Sequence, residues 1–184
     1  DVGNIWAVGQ AGTIRKWNGS TWLAQSSGTM SSLFGVRGSD ADNVWAVGQN
    51  GVILKWDGSN WMPQTSGTVQ SLRSVWVSDA GNVWAVGDGG AIRKWNGNSW
   101  SSQTSGTMST LYSIWGSDVN NIWAVGQNGT IRKWNGSEWS AQTSGNTQNI
   151  YKVWGSDANN VWVVGDGGTI RKWKDGQGRY LLAD

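Results

Sequence analysis

Asn4-Ile5-Trp6-Ala7-Val8-Gly9 is the stretch that decides the fold, because it returns unchanged at 121–126, with Val for Ile at 43–48 and 82–87, and with a further Val for Ala at 160–165. The spacing is 39 residues each time. A period between 20 and 50 residues marks a repeat architecture in which each unit buries its apolar surface against its neighbours. The copies are close: residues 1–39 and 118–156 agree at 26 of 39 positions. Such similarity fits a repeat that was amplified or made repetitive by design.

One unit reads as four short strands. Leu111–Gly116 is a β-branched and aromatic run (strand a) ended by the turn cluster at 117–120. Asn121–Gly126 (strand b) closes at Gln127-Asn128-Gly129, residues 130–134 (strand c) close at Asn135-Gly136, and 137–143 form strand d. Asn-Gly between such runs predicts type I′ hairpins, in which both central residues have positive φ. Strand b is apolar at four consecutive positions, Ile122 to Val125, so it is expected to be covered on both faces. Four-stranded antiparallel sheets repeated radially and packed on both faces make a β-propeller. The expected fold is therefore all-β, a five-bladed β-propeller starting at strand b, with 1–184 one domain of repeats 1–39, 40–78, 79–117, 118–156 and a partial 157–184.

Five whole units would take 195 residues, eleven more than the 184 present. The shortfall is one strand and falls on strand a of the first blade, leaving an edge through which chains can self-associate. After Trp173 the pattern breaks. The tail reads either as strand d of blade 5 or as the missing strand a of blade 1.

Composition narrows function. The chain has 28 glycines, one proline and 17 tryptophans, a profile for short strands and tight turns rather than disorder. No histidine or cysteine is present. The usual general base, thiol nucleophile and transition-metal ligands are thus missing. Glu138 is the only glutamate and almost every aspartate belongs to the repeat, whereas an active site needs an asymmetric constellation. The expectation is no enzyme and no cofactor. Asp40, Asp79, Asp118 and Asp157 occupy one recurring turn, where an aspartate bonds its own backbone and offers too few oxygens to hold calcium. No apolar run reaches membrane-spanning length. A net charge of +2 is too small to point to nucleic acid.

The unit L-x-x-V-W-G-S-D-x-N-N-V-W-A-V-G-x-x-G-T-I-x-K-W-N-G-S-x-W resembles the BNR/Asp-box-like repeats of sialidase-type propellers and photosystem II assembly factors. It is most similar to the Trp-rich W-A-V-G-x-x-G-T-I-x-x-W-D-G-S-x-W repeats of secreted bacterial proteins. The resemblance covers Asp1–Trp173 and implies a propeller in a secreted or extracellular bacterial setting. Trp17, Trp56, Trp95, Trp134 and Trp173 stand where the box aspartate belongs. Only the glycine and final aromatic match, as at Gly19 and Trp22, so the likeness concerns fold and not catalysis.

A binding site is expected on the face carrying the b–c turns, with Gln10, Gln49, Asp88, Gln127 and Asp166, and the d–a segments 28–32, 67–71, 106–110 and 145–149, where the copies differ most. Trp22, Trp61, Trp100 and Trp139 open the d strands and offer flat rings to a sugar. The leading expectation is a non-catalytic, multivalent, lectin-like module binding glycan between blades with these nine residues. One alternative is a scaffold propeller that binds protein surfaces and takes no small ligand. Another is polyanion binding by Arg15-Lys16, Lys55, Arg93-Lys94, Arg132-Lys133 and Arg171-Lys172 of strand c.

Overall fold

The computed structural model describes residues 4–174 and 179–182. Five sheets follow the repeat. The first contains β1 (Ile5–Val8), β2 (Ile14–Trp17) and β3 (Trp22–Gln25), in that order. The second contains β4 (Leu33–Gly38), β5 (Val44–Gly48), β6 (Ile53–Trp56) and β7 (Trp61–Gln64). The third contains β8 (Leu72–Asp79), β9 (Asn82–Gly87), β10 (Ile92–Trp95) and β11 (Trp100–Gln103). The fourth contains β12 (Leu111–Asp118), β13 (Asn121–Gly126), β14 (Ile131–Trp134) and β15 (Trp139–Gln142). The fifth contains β16 (Ile150–Asp157), β17 (Asn160–Gly165), β18 (Ile170–Lys174) and β19 (Arg179–Leu182). Each sheet is a meander of neighbours in sequence, called a blade below.

Blade 1 has three strands among the described residues, as the residue count predicts, and β1 lies at its edge. The tail pairs antiparallel with β18, Trp173 opposite Tyr180 and Arg171 opposite Leu182. Of the two assignments left open by the sequence, the structure gives strand d of blade 5. By packing, the chain forms two compact units, residues 1–85 with 93–101, and 86–92 with 102–184.

The b–c connections are the type I′ turns the sequence predicts. In blade 2, Asn50 has φ 56° and Gly51 φ 72°. The Gly48 amide donates to the Val52 carbonyl at 2.9 Å, and the Val52 amide donates to Gln49 at 3.2 Å. Glycine is required at position 51 for a second reason, since a Cβ there would collide with the Thr68 carbonyl.

The Asn-Gly sequences between strands c and d correct the expectation. Trp17 pairs with Trp22 and Trp134 with Trp139, so four residues bridge each hairpin. Only the glycine is left-handed, as at Gly19 with φ 99°. Asn18 instead starts the loop, its Oδ1 accepting the amides of Ser20 at 2.9 Å and Thr21 at 2.8 Å. An acceptor oxygen is what this position demands, which is why Asp57 replaces asparagine there and accepts from Ser59 and Asn60.

In the first unit, β5 is buried at every residue, as expected for a strand covered on both faces. Trp45 and Trp84 are fully buried there, and Trp123 is in the second unit. Trp6 and Trp162 are only half-buried. Coverage of strand b on both faces predicts all five of its tryptophans nearly fully buried. In the first unit the difference is positional, because the sheet of Trp45 packs against both neighbouring blades whereas the sheet of Trp6 packs against blade 2.

Candidate functional site

Between blades, the packing places one blade's strand-b tryptophan against the two rings that flank the next blade's c–d hairpin. In the first unit, Trp6 lies 5.0 Å from Trp56 and meets Trp61 edge-to-face at 5.1 Å. Trp45 repeats this with Trp95 at 5.1 Å and Trp100 at 5.3 Å. In the second unit, Trp123 lies 6.3 Å from Trp173. Edge-to-face and tilted pairs suit the ring quadrupole and add about 0.5–1.5 kcal/mol each beyond area burial. The same packing buries Trp61 and Trp100, and Trp139 is buried beside Trp134. Trp22 alone of the four proposed sugar platforms is open, 46% exposed.

Strand-c lysines join the stacks. Lys16 Nζ lies 5.0 Å from the Trp6 ring and 5.3 Å from Trp56, and Lys133 lies 5.1 Å from Trp123 and 5.2 Å from Trp173. Lys55, Lys94 and Lys172 cover Trp45, Trp84 and Trp162. An ammonium over an indole face is held by the ring quadrupole while its stem covers apolar surface. Arginines take the other side of strand c. Arg132 Nη2 donates to the Gly106 carbonyl at 2.6 Å. Arg93 lies over Gly67 and Arg171 over Gly145. Burial lowers the pKa of both Arg93 and Arg132. Most of the basic side chains imagined as a polyanion grip are thus engaged in inter-blade packing, while Arg15 is exposed.

The polar candidates sit elsewhere. Gln10, Gln49, Asp88, Gln127 and Asp166 open the b–c turns. Backbone bonds tie these turns to the d–a segments: Gln49 donates to Ser32, Gln127 to Thr110 and Asp166 to Asn149, each at 2.9 Å. Asp166 Oδ2 also accepts from Asn149 Nδ2 at 3.0 Å and the Tyr151 hydroxyl at 3.1 Å. The expected neighbourhood of b–c turns and d–a segments is therefore present. The tryptophans are not part of it. Trp139 pairs with Trp134, whereas Ile131, at the b–c end of the same strand, pairs with Gln142. A four-residue strand, about 10 Å at 3.3 Å per residue, separates the two sets.

The aspartate turns have a structural role. Asp40 Oδ1 accepts the amides of Asp42 at 3.0 Å and Asn43 at 2.9 Å, and Asn43 Nδ2 at 2.8 Å. The Asn43 side chain is foremost in lowering its pKa. At Asp157, hydrogen bonds from Asn160 and Ser156 lower the pKa to about 2. Acceptor capacity is spent within the turn, and no cluster of three acidic or other ligating side chains occurs among the described residues.

Three surface features stand apart. The d–a segments carry Met30, Val69 and Met108 at equivalent positions, 82%, 83% and 84% exposed. A cleft of about 390 Å³ beside blade 1 is lined by Asn4, Trp6, Gly38, Asp40 and Val44. A second, of about 270 Å³, opens between blades 1 and 2, lined by Gly28, Thr29, Leu54, Trp61, Pro63 and Gln64 among others. The strand-c position facing the last of these was legible in the sequence as the break in the Arg-Lys series at Leu54.

Comparison with solved structures identifies the fold. The structure of YCF48 bound to D1 peptide superposes with TM-score 0.74 at 17% identity, covering 98% of this chain and 63% of that one. YCF48 from Cyanidioschyzon merolae gives 0.71 at 19% identity, covering 94% and 66%. The WD40 β-propeller domain of Doa1 gives 0.80 at 15% identity, covering 98% and 64%. The likeness is one of fold, and the chain is an all-β protein of the β-propeller class with five blades. It spans 63–66% of the length of these structures. No protein-family model matches the chain, and no significant relative is found among curated proteins.

Proposed function

We propose that this chain is a non-catalytic protein-interaction scaffold that uses its d–a segments and b–c turns to bind a polypeptide surface. The observation that carries this reading is the trio Met30, Val69 and Met108, each more than four-fifths exposed on the same segment of three successive repeats. Large apolar side chains held in water at a repeated position suit contact with a protein surface, and methionine adapts well to varied protein surfaces. The name of one similar structure records a bound peptide, which supports the same use of the fold. The BNR/Asp-box-like kinship of the repeat belongs to this reading, as does the absence of catalysis.

Lectin-like glycan binding is the weaker reading, because Trp61, Trp100 and Trp139 offer no open ring face. The experiment sets the wild type beside Met30→Ser/Val69→Ser/Met108→Ser on a tiled-peptide array and a glycan array. Peptide binding that the triple variant loses supports the scaffold. Glycan binding that the triple variant keeps would overturn it.

A further inference from the structure

The repeat itself shows what belongs in the cleft between blades 1 and 2. In the three later blades an arginine of strand c crosses to the d–a segment of the blade before it. Arg93 reaches Gly67, Arg132 donates to the Gly106 carbonyl at 2.6 Å, and Arg171 reaches Gly145. At the equivalent place in blade 2 stands Leu54, facing Gly28. Leucine is shorter than arginine and has no donor for the Gly28 carbonyl, the counterpart of the carbonyl that Arg132 caps. Its partner across the hairpin is Pro63, where blades 1 and 4 pair arginine with Ala24 and Ala141. The result is the cleft of about 270 Å³, below the roughly 300–1,000 Å³ of drug-sized ligand sites and suited to a single side chain.

We propose that this cleft is a docking slot for an arginine side chain presented by a partner protein, which replaces in trans the guanidinium that the other blades supply in cis. The walls match the two halves of that side chain. Leu54, Pro63 and the small exposed part of Trp61 take the aliphatic stem. The Gly28 carbonyl at the rim accepts from the planar guanidinium, whose fork of donors suits it better than an ammonium. With leucine at position 54, the slot lacks the arginine that occupies the equivalent place in the three later blades.

The inference deepens the scaffold reading and rests on it for the partner being a protein. Its test uses a free amino-acid analogue, so failure removes the slot and leaves the peptide-array result to judge the scaffold. The ¹⁵N-labelled protein is titrated with N-acetyl-arginine methylamide, and in parallel with the lysine and leucine analogues, while amide shifts are followed. The arginine analogue should shift the amides of Gly28, Thr29 and Gln64, saturating in the millimolar range, with weaker responses to the other two. Leu54→Arg, which restores the residue of the other blades, should abolish the response. Arg93→Leu should create a second responsive group around Gly67 and Thr68. The proposal is overturned if no localised shift occurs in the wild type, if Leu54→Arg responds equally, or if the leucine analogue binds as well as arginine.

Discussion

Trp45 meets Trp100 edge-to-face, ring centroids 5.3 Å apart and planes at 84°. The contact joins strand b of one blade to the start of strand d in the next, so inter-blade cohesion depends on these rings. Trp45 is fully buried and Trp6, its counterpart in blade 1, is half-buried. Trp45→Ala should therefore cost about 3–5 kcal/mol, and Trp6→Ala about half as much, in proportion to the area lost. Urea unfolding of the two variants checks the difference. Equal losses would contradict the positional account of burial.

A second expectation concerns Ala11, which sits at φ 49° and ψ 40° where blades 2 and 4 have asparagine and blades 3 and 5 have glycine. A left-handed conformation costs an ordinary L-residue about 1–2 kcal/mol, and asparagine tolerates it better. Ala11→Asn should raise stability by about 0.5–1 kcal/mol, read as a higher thermal midpoint. A lower midpoint would show that blade 1 uses Ala11 for something other than its turn.

These positions show what was legible in the sequence. The period, the four strands and the b–c turns were readable because each follows from local residue pattern. The c–d loops were misassigned because Asn-Gly suits two geometries, and pairing of Trp17 with Trp22 selects the longer. The candidate site was half legible. Turn and loop positions came out together, since strand alternation alone fixes which ends share a face. Tryptophan exposure did not, because Trp22 and Trp61 are chemically identical and differ only in what flanks them. Leu54 was visible as a departure, but its meaning required knowing that arginine spans the cleft in the other blades.

Acid should loosen the a–b turns. Hydrogen bonds from Asn160 and Ser156 hold the Asp157 pKa at about 2 against an ordinary 3.8, and the pKa values of Asp40, Asp79 and Asp118 are also lowered. At Asp79 and Asp118 burial opposes this and the hydrogen bonds outweigh it. A carboxylate with a depressed folded pKa contributes stability that is complete above its unfolded value and lost as pH falls through the folded one. The urea midpoint should hold steady from neutral pH to just above 3.8 and fall between there and about 2. Asp157→Asn, which keeps an acceptor oxygen without the charge, should make that fall shallower. A midpoint indifferent to acid would show that these bonds do not favour the folded state.

The last expectation follows from the edge at β1. Ile5 is 49% exposed, whereas its counterpart Val44 is 3% exposed and Val83, Ile122 and Val161 are fully buried. The strand lies at the end of its sheet with no strand-a neighbour among the described residues. An apolar edge of this kind is a template for pairing with another chain, and a lysine on it is a common way of blocking such pairing. The wild type should therefore self-associate as concentration rises, and Ile5→Lys should shift the equilibrium toward monomer with little loss of stability, because the new charge lies in water. Sedimentation velocity across a concentration series reads the first effect and thermal unfolding the second. A wild type that stays monomeric throughout the series would show that the edge is not an association site. A variant that unfolds as readily as Ile122→Lys would show that Ile5 is enclosed in solution after all.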